Sequence, residues 1–322
     1  MTRAQFEHLV ERHGAELRVH CYRMLGSLHE SEDLVQETFL RAWRGRARFV
    51  EGSARAWLYR IATNACLDVL RARPRRILVA PGPASEPDAA ILPPADLPWL
   101  QPYPDELIAP LSEQPEAQLV ARETIELAFL AAIQHLPPRQ RAVLLLRDVL
   151  EWSAKEVAAQ LDATVASVNS ALQRARSTLR EQLPERREDW AATTDEHADL
   201  VRRYVDAHEQ ADVDGFAALL HEDARLTMPP HPMWFDGRAA IVAASARGFD
   251  PAFGSLRSVV TAANRQPAVA HYLRPPEADE YRPLALDVLR VERGRIVEIV
   301  SFVEPELFEA FGLPDEFSAR PR

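Results

Sequence analysis

Only two cysteines occur in 322 residues, Cys21 and Cys66, far apart and without CxxC spacing. A disulfide scaffold and a zinc ribbon are excluded on that count. Cys66 lies in a helical pattern among apolar neighbours, so both thiols read as reduced core residues of a cytoplasmic protein. No apolar run approaches the ~18 residues of a membrane span. Met1–Glu7 has no apolar signal core, so the expected location is the cytoplasm and a membrane is not an expected partner. No GxGxxG, Walker or HxxxH pattern appears, so spacing implies no phosphate loop, no cofactor and no metal ion. Lysine is nearly missing too: Lys155 is the single one among 38 basic residues.

The charge present is unevenly placed. The net −10 hides a basic first stretch, 14 basic against 9 acidic side chains in residues 1–76. Residues 77–121 carry seven acidic groups and no basic one, and residues 191–322 are acidic again. Segments of opposite sign suggest modules with different partners, a basic one suited to nucleic acid. Residues 77–121 are also dense in proline, which lacks an amide donor and fixes φ. They read as a long, partly extended acidic linker. One patch inside it, Leu97-Pro98-Trp99-Leu100-Gln101-Pro102-Tyr103-Pro104, holds two aromatics and reads equally as a docking segment or as a turn packed on its own chain.

Residues 1–76 and 122–186 both look all-helical. Ser31 is expected to cap a helix with Glu32 and Asp33 in its first turn, and Val35, Phe39, Ala42 and Trp43 share a face. A further helix is expected from about Ala54 to Arg71, with Leu58, Ile61, Ala62, Ala65 and Val69 inward. Ser153-Ala154-Lys155-Glu156 is a capping box. A tight turn, Asp162-Ala163-Thr164, then leads to a longer helix with Val168, Leu172, Ala175 and Leu179 on one face, the helix-turn-helix pattern. After a second break at residues 184–194, helical patterning from about Glu196 to His221 gives way to strand-like runs at Leu256–Ala263, Ala268–Leu273, Leu284–Glu292 and Ile296–Val303. The last two are joined by the turn Glu292-Arg293-Gly294-Arg295. Helices first and strands after predict an α+β domain over residues 195–322.

The segment Ser31-Glu32-Asp33-Leu34-Val35-Gln36-Glu37-Thr38-Phe39-Leu40-Arg41-Ala42-Trp43 resembles region 2.2 of bacterial sigma factors, the helix that docks on core RNA polymerase. Asp33, Gln36 and Glu37 fall at i, i+3 and i+4, on the face away from the apolar residues, and the resemblance gives them the polymerase contact. Trp57-Leu58-Tyr59-Arg60-Ile61-Ala62-Thr63-Asn64-Ala65-Cys66-Leu67-Asp68 resembles regions 2.3 and 2.4 of the extracytoplasmic-function sigma factors, which melt the −10 element and hold its non-template strand. Holding unstacked bases needs aromatic faces, Arg planes and hydrogen-bonding side chains. Trp57, Tyr59, Arg60, Asn64 and Arg71 are those types, with Trp57 equally readable as core. Arg46, Arg48, Arg71, Arg73, Arg75 and Arg76 could meet phosphates without reading sequence.

Residues 122–183 resemble sigma region 4, which reads the −35 element, beginning at Leu136-Pro137-Pro138-Arg139-Gln140-Arg141. In the second helix Thr164, Ser167, Asn169, Ser170, Gln173 and Arg174 point away from the apolar stripe and could enter the major groove. Many relatives carry basic residues where this chain has Asn169 and Ala171, which implies weaker or altered −35 reading. A promoter spacer of roughly 17 bp spans ~60 Å, and the 45-residue linker, at most ~150 Å long when fully extended, can bridge it.

Residues 195–322 resemble a SnoaL-like domain of the NTF2-like fold. The match is carried by Tyr204–His208, Asp212–Leu220, Leu226–Pro230, Trp234–Arg238 and the final hairpin into Phe302. The order of parts resembles that of the SigG-type and SigJ-type sigma factors, which carry this extra domain. The expected fold is therefore multidomain, two all-α sigma domains followed by an α+β NTF2-like domain.

The expected function is promoter-directed transcription initiation, with core RNA polymerase and promoter DNA as partners and the last domain modulating it through a small ligand in its cavity. No anti-sigma partner is legible. Two other classes compete: a one-component DNA-binding regulator with a ligand domain, and an enzyme acting through the C-terminal cavity. For the latter His231, Asp236, Tyr272 and Asp287 are the only titratable candidates. His231 sits among prolines, Asp236 precedes a glycine and Asp287 reads as strand surface, so no catalytic residue and no enzyme are expected.

Overall fold

A computed structural model describes residues 2–49, 53–108, 124–183 and 197–318. The later part of the linker, the first residues of the second helical stretch and the break at 184–194 lie outside the described residues, as does the side chain of Arg48. The chain divides into two compact units: Met1–Arg76 with Leu100–Glu185, and Ile77–Trp99 with Arg186–Arg322.

The first unit is helical. α1 (Arg3–Leu25) opens on a reciprocal cap in which Thr2 and Gln5 satisfy each other's amides, and closes at Gly26, whose φ of 71° suits a residue without Cβ. α2 (Leu28–Gly45) begins at once, capped by Ser27, whose Oγ accepts from the Glu30 amide. The cap expected at Ser31 is thus corrected. Ser31 is buried in the first turn and its hydroxyl donates back to the Ser27 carbonyl, because the Gly26–Ser27 junction already supplies the stop and the start. α3 (Ala54–Leu70) is capped by Ser53. Its buried face is displaced from the expected stripe: Tyr59, Thr63, Cys66 and Leu67 join Leu58, Ala62 and Ala65, while Ile61 and Val69 are only half-buried.

Two short helices follow in the same unit, α4 (Leu127–Gln134) and α5 (Pro138–Leu144), the latter running on into a wider π turn, Leu145–Val149. The helix-turn-helix is α6 (Ala154–Gln160) and α7 (Val165–Gln182). The Ser153–Glu156 capping box forms, at 2.7 and 3.2 Å. Thr164 caps α7 through the Ser167 amide at 3.1 Å, and Asp162 takes the left-handed φ of 47° that the turn between the helices requires.

The second unit holds α8 (Ala198–Glu209), α9 (Val213–Leu219), β1 (Leu220–Thr227), β2 (Trp234–Asp236), α10 (Arg238–Ser245), β3 (Ser255–Ala263), β4 (Gln266–Arg274), β5 (Glu280–Glu292), β6 (Arg295–Phe302), α11 (Leu307–Ala310) and β7 (Phe317–Ser318). The sheet order is β2-β1-β6-β5-β4-β3, with β7 beside β5. Only β1 and β6 run parallel. The β5–β6 hairpin turns on Arg293 and Gly294 with φ of 51° and 70°, the two positive values of the favoured two-residue turn. The single helical stretch expected up to His221 is corrected. Ala211, at φ 55°, breaks it, Asp212 caps a second helix through the Gly215 amide, and the chain turns extended at Leu220. Leu200, Val201, Tyr204, Phe216 and Leu219 from the helices pack with Val269, Leu289, Ile296 and Ile299 of the sheet.

The proline-rich stretch forms no regular element before a single turn at Asp105–Leu107, as proline requires, yet its described part is no free tether. Residues 85–95 lie along the second unit. Ser85 N donates to Trp234 O at 2.7 Å, Ala95 N to Pro230 O at 2.9 Å, and Arg247 donates to the carbonyls of Asp88 and Ala89. The segment closes on itself where Ile77 bridges Trp99. Residues 100–108 instead belong to the helical unit. Gln101 Oε1 accepts from Ser27 Oγ and Leu28 N, Tyr22 donates to the Gln101 carbonyl, and Tyr103 is buried with its ring 4.6 Å from that of Tyr22. The aromatic patch therefore packs on its own chain, split between the units.

Candidate polymerase and nucleic-acid interfaces

α2 is two-faced because its apolar residues recur at helical spacing. Val35, Thr38 and Ala42 are buried, and Phe6 of α1 meets the rings of Phe39 and Trp43 at 6.3 and 5.1 Å. On the opposite side Asp33 and Gln36 are exposed, and Leu40, beside them, is 51% exposed. Glu37 accepts from Arg41 Nε at 2.7 Å, and that hydrogen bond holds its carboxyl below the usual range. The three residues expected to meet the polymerase thus share one outward surface with an exposed leucine that sequence reading passed over.

α3 treats its five expected residues differently. Arg60 and Asn64, one turn apart, are exposed, as is Arg71, which donates to Asp68 Oδ1 at 2.7 Å. Trp57 is half-buried, its ring 4.9 Å from Phe49. Tyr59 departs from its expected place. It is 1% exposed, its hydroxyl donates to Glu16 Oε2 at 3.2 Å, and its ring meets His20 at 5.0 Å and Trp152 at 5.4 Å. Burial and the Glu16 carboxylate push the Tyr59 hydroxyl pKa up. A base cannot stack on it in this arrangement. The tyrosine lies on the side of α3 that packs inward, which the aromatic-and-polar pattern alone did not reveal.

On α7, Val168, Leu172, Ala175 and Leu179 are buried as expected, and Thr164, Ser167, Asn169, Ser170, Gln173 and Arg174 are all exposed. Arg176 is spent on structure, gripping Asp148 of the π turn through two bonds of 2.8 and 2.7 Å.

Within this unit the helix-turn-helix packs against α3. Gln160 Nε2 donates to the Ala56 carbonyl at 2.7 Å, and Arg60 Nη2 meets Asp162 Oδ1 at 2.9 Å. A groove of about 480 Å³ lies between them, lined by Trp57, Arg60, Trp152, Glu156 and Gln160 among others. Deeper, the Arg141 guanidinium is 2% exposed. It donates to the Met24 carbonyl at the end of α1, to Gln134 Oε1 at 2.8 Å and to the Gln134 carbonyl at 3.1 Å. Burial lowers its pKa to about 10. The sequence shows Arg141 only as part of a motif; its role as a tie between α1 and α5 needs the tertiary fold.

In the C-terminal unit the four titratable candidates do not converge. His231 Nδ1 contacts the Leu92 carbonyl at 2.6 Å, Asp236 is exposed near Arg225, and the Tyr272 hydroxyl donates to the Pro314 carbonyl at 2.9 Å. Asp287 is not strand surface: it is 6% exposed and accepts from the Tyr204 hydroxyl at 2.6 Å. Its neighbours are His208 and His271, which sequence reading did not select. Finding them needs the β4–β5 register, in which Val269 faces Asp287 and His271 lies two residues on, on the same side.

Comparison with known proteins matches three families along the chain: Sigma-70 region 2 over residues 9–76, Sigma-70 region 4 over residues 126–179 and the SnoaL-like domain over residues 201–299. The chain is 43% identical over 320 residues to the ECF RNA polymerase sigma factor SigG of Mycobacterium tuberculosis, covering 97% of this chain and 85% of that one. The ECF RNA polymerase sigma factor SigJ of the same organism is 26% identical over 304 residues, 89% of this chain and 88% of its own. The crystal structure of Mycobacterium tuberculosis SigJ covers 94% of this chain and 98% of its own with a TM-score of 0.59 at 22% identity, a likeness of fold. Nothing found favours the one-component regulator or the cavity enzyme. No helix among the described residues is long and apolar enough to cross a membrane. The chain belongs to the extracytoplasmic-function sigma factors of RNA polymerase, among those that carry a C-terminal SnoaL-like domain.

Proposed function

We propose that the outward face of α2, Asp33, Gln36 and Glu37, docks on core RNA polymerase. Arg60, Asn64, Trp57 and Arg71 of α3 hold the displaced −10 strand, and the exposed face of α7 reads the −35 element, in the cytoplasm where polymerase and chromosome meet. One observation carries this reading. On all three helices the apolar stripe does the packing, and Asp33 and Gln36 of α2, Arg60, Asn64 and Arg71 of α3 and the six polar residues of α7 stay exposed. Asn or Gln can pair adenine edges and Arg guanine edges or phosphate, each worth about 1–3 kcal/mol of discrimination when bidentate.

The same unit holds α3 against the helix-turn-helix through bonds of 2.7 and 2.9 Å. A −10 and a −35 element some ~60 Å apart cannot be engaged together in that arrangement. This is the closed form, and binding to polymerase opens it. The C-terminal unit acts as a modulator, because it holds residues 85–95 of the chain that joins the two sigma modules.

The test is single-round transcription with core enzyme on a promoter carrying both elements. Q173A or R174A should lower initiation on that template and spare a template whose −35 element is dispensable. Q36A should lower initiation on both. Equal behaviour of all three variants on every template would remove the assignment of faces.

A further inference from the structure

We propose that His208, His271 and Asp287 of the C-terminal unit form a binding site for a first-row divalent transition-metal ion. One ligand atom from each lies within 4.8 Å of the other two, and among the described residues they are the one such group of three. They come from three elements: His208 from α8, His271 from β4, Asp287 from β5. The site is independent of the promoter-binding reading.

The detailed geometry separates a metal site from a buried ion pair. His271 Nε2 lies 3.2 Å from Asp287 Oδ2, yet it is out of line and forms no hydrogen bond, and Asp287 Oδ1 also has no hydrogen-bond partner. Both residues are buried, their side chains 4% and 8% exposed. A buried histidine and carboxylate normally satisfy each other. Two atoms that approach without pairing are what a shared ion requires, since ligands at ~2.0–2.2 Å from one metal sit about 2.8–3.6 Å apart between octahedral and tetrahedral geometry. His208 is half-buried, which leaves an entry path for an ion.

Each ligand is also held from behind, as metal ligands are. The Nδ1 of His208 donates to the Tyr204 carbonyl at 2.8 Å, which turns the lone pair of Nε2 outward. His271 Nδ1 is 2.9 Å from Ser258 Oγ, so a donated proton there leaves Nε2 free. Asp287 Oδ2 accepts from the Tyr204 hydroxyl at 2.6 Å. Two imidazoles and one carboxylate suit zinc, nickel, cobalt or ferrous iron. They do not suit calcium or magnesium, which take oxygen donors, or cuprous ion, which takes sulfur. Three protein ligands leave at least one vertex for water or a small molecule with a donor atom.

The test uses the tag-free, chelator-treated full chain. Zinc is titrated against a chromogenic competitor, and cobalt is followed by its visible ligand-field absorption. One equivalent per chain is expected, with zinc raising the thermal midpoint. H208Q and H271Q should each weaken zinc at least 100-fold, whereas H231Q should not change it. Zinc-edge X-ray absorption of the wild-type complex should count two imidazoles, a readout that survives a folding defect in either variant. Substoichiometric binding by the wild type, fewer than two imidazoles, or wild-type affinity in H208Q or H271Q would each overturn the proposal.

Discussion

The contact between α3 and the helix-turn-helix can be loosened without touching any residue assigned to DNA. Asp162→Asn with Gln160→Met removes the ion pair and the Gln160 hydrogen bond and keeps the local fold. Asn tolerates the left-handed φ of 47° at position 162, and Met fills the volume of Gln160, which is 8% exposed. The Arg60–Asp162 pair is 47% and 76% exposed, so it contributes about 0.2–1 kcal/mol. The Gln160 bond to the Ala56 carbonyl is more sheltered, and about 0.5–1.5 kcal/mol is appropriate. Together they hold the closed form by roughly 1–2 kcal/mol, a shift of about five- to thirty-fold toward the open form when lost. Hydrogen exchange of α3 amides should rise by that factor. Initiation at limiting factor concentration should rise as well, because less binding energy is spent on opening. Raising salt in the wild type should reproduce only the smaller, ionic share. Unchanged exchange would sink the estimate, and reduced initiation would show that the contact belongs to the working complex instead.

Arg141→Met should destabilise the helical unit by about 3 kcal/mol. It strips the Met24 and Gln134 acceptors of a buried cation, and the relief of desolvation implied by a pKa near 10 offsets only part of that loss; denaturant unfolding measures it, and a change under about 1 kcal/mol refutes the role given to Arg141. His20 is buried against Tyr59 and Thr63, and burial, with Arg23 and Arg55 nearby, lowers its pKa to about 3. The unfolded chain therefore binds a proton near pH 6.5 that the folded one refuses until about pH 3. Stability is full above pH 6.5 and falls through that window by up to about 1.4 kcal/mol per pH unit, a slope that unfolding curves of wild type and His20→Gln should differ by. Arg247→Ala removes the donor to the Asp88 and Ala89 carbonyls, and proteolysis within residues 85–95 should speed up several-fold, with no change expected if the segment is held elsewhere.

Most of the helical unit was legible because its signals are local. The Ser153–Glu156 box, the Thr164 cap and the stripe Val168, Leu172, Ala175, Leu179 all formed as the residues dictate. The strands β3 to β6 and their Arg293–Gly294 turn followed from alternation and turn chemistry. What stayed hidden depends on which elements meet. Tyr59 has the chemistry of a base-stacking residue, and only the packing of Trp152 and Glu16 around it makes it core. Asp287 alternates like a surface residue, and only the helix carrying Tyr204 and His208 covers it. Ser31 looked like a cap because the stronger start at Gly26–Ser27 lies just upstream, where a glycine in a left-handed turn is easily passed over.

The fate of the proline-rich stretch bears on how the two sigma modules separate. Read as a free 45-residue tether it could span any promoter spacer. With Ile77 bridged to Trp99, the residues between them add no reach while they are held, because the segment starts and ends at the same place. Residues 100–108 are likewise packed on the helical unit. The length then left between residues 108 and 124 is about 55 Å at full extension, barely the ~60 Å that a 17 bp spacer occupies. Releasing residues 77–99 lengthens the reach only when residues 100–108 also leave the helical unit, and the two together then add roughly 105 Å. On the function proposed above, a domain that holds that loop removes one of the two releases that region 4 needs before it can travel as far as the promoter demands. Any ligand that binds the C-terminal unit differently in the held and freed states shifts the balance by its own differential affinity.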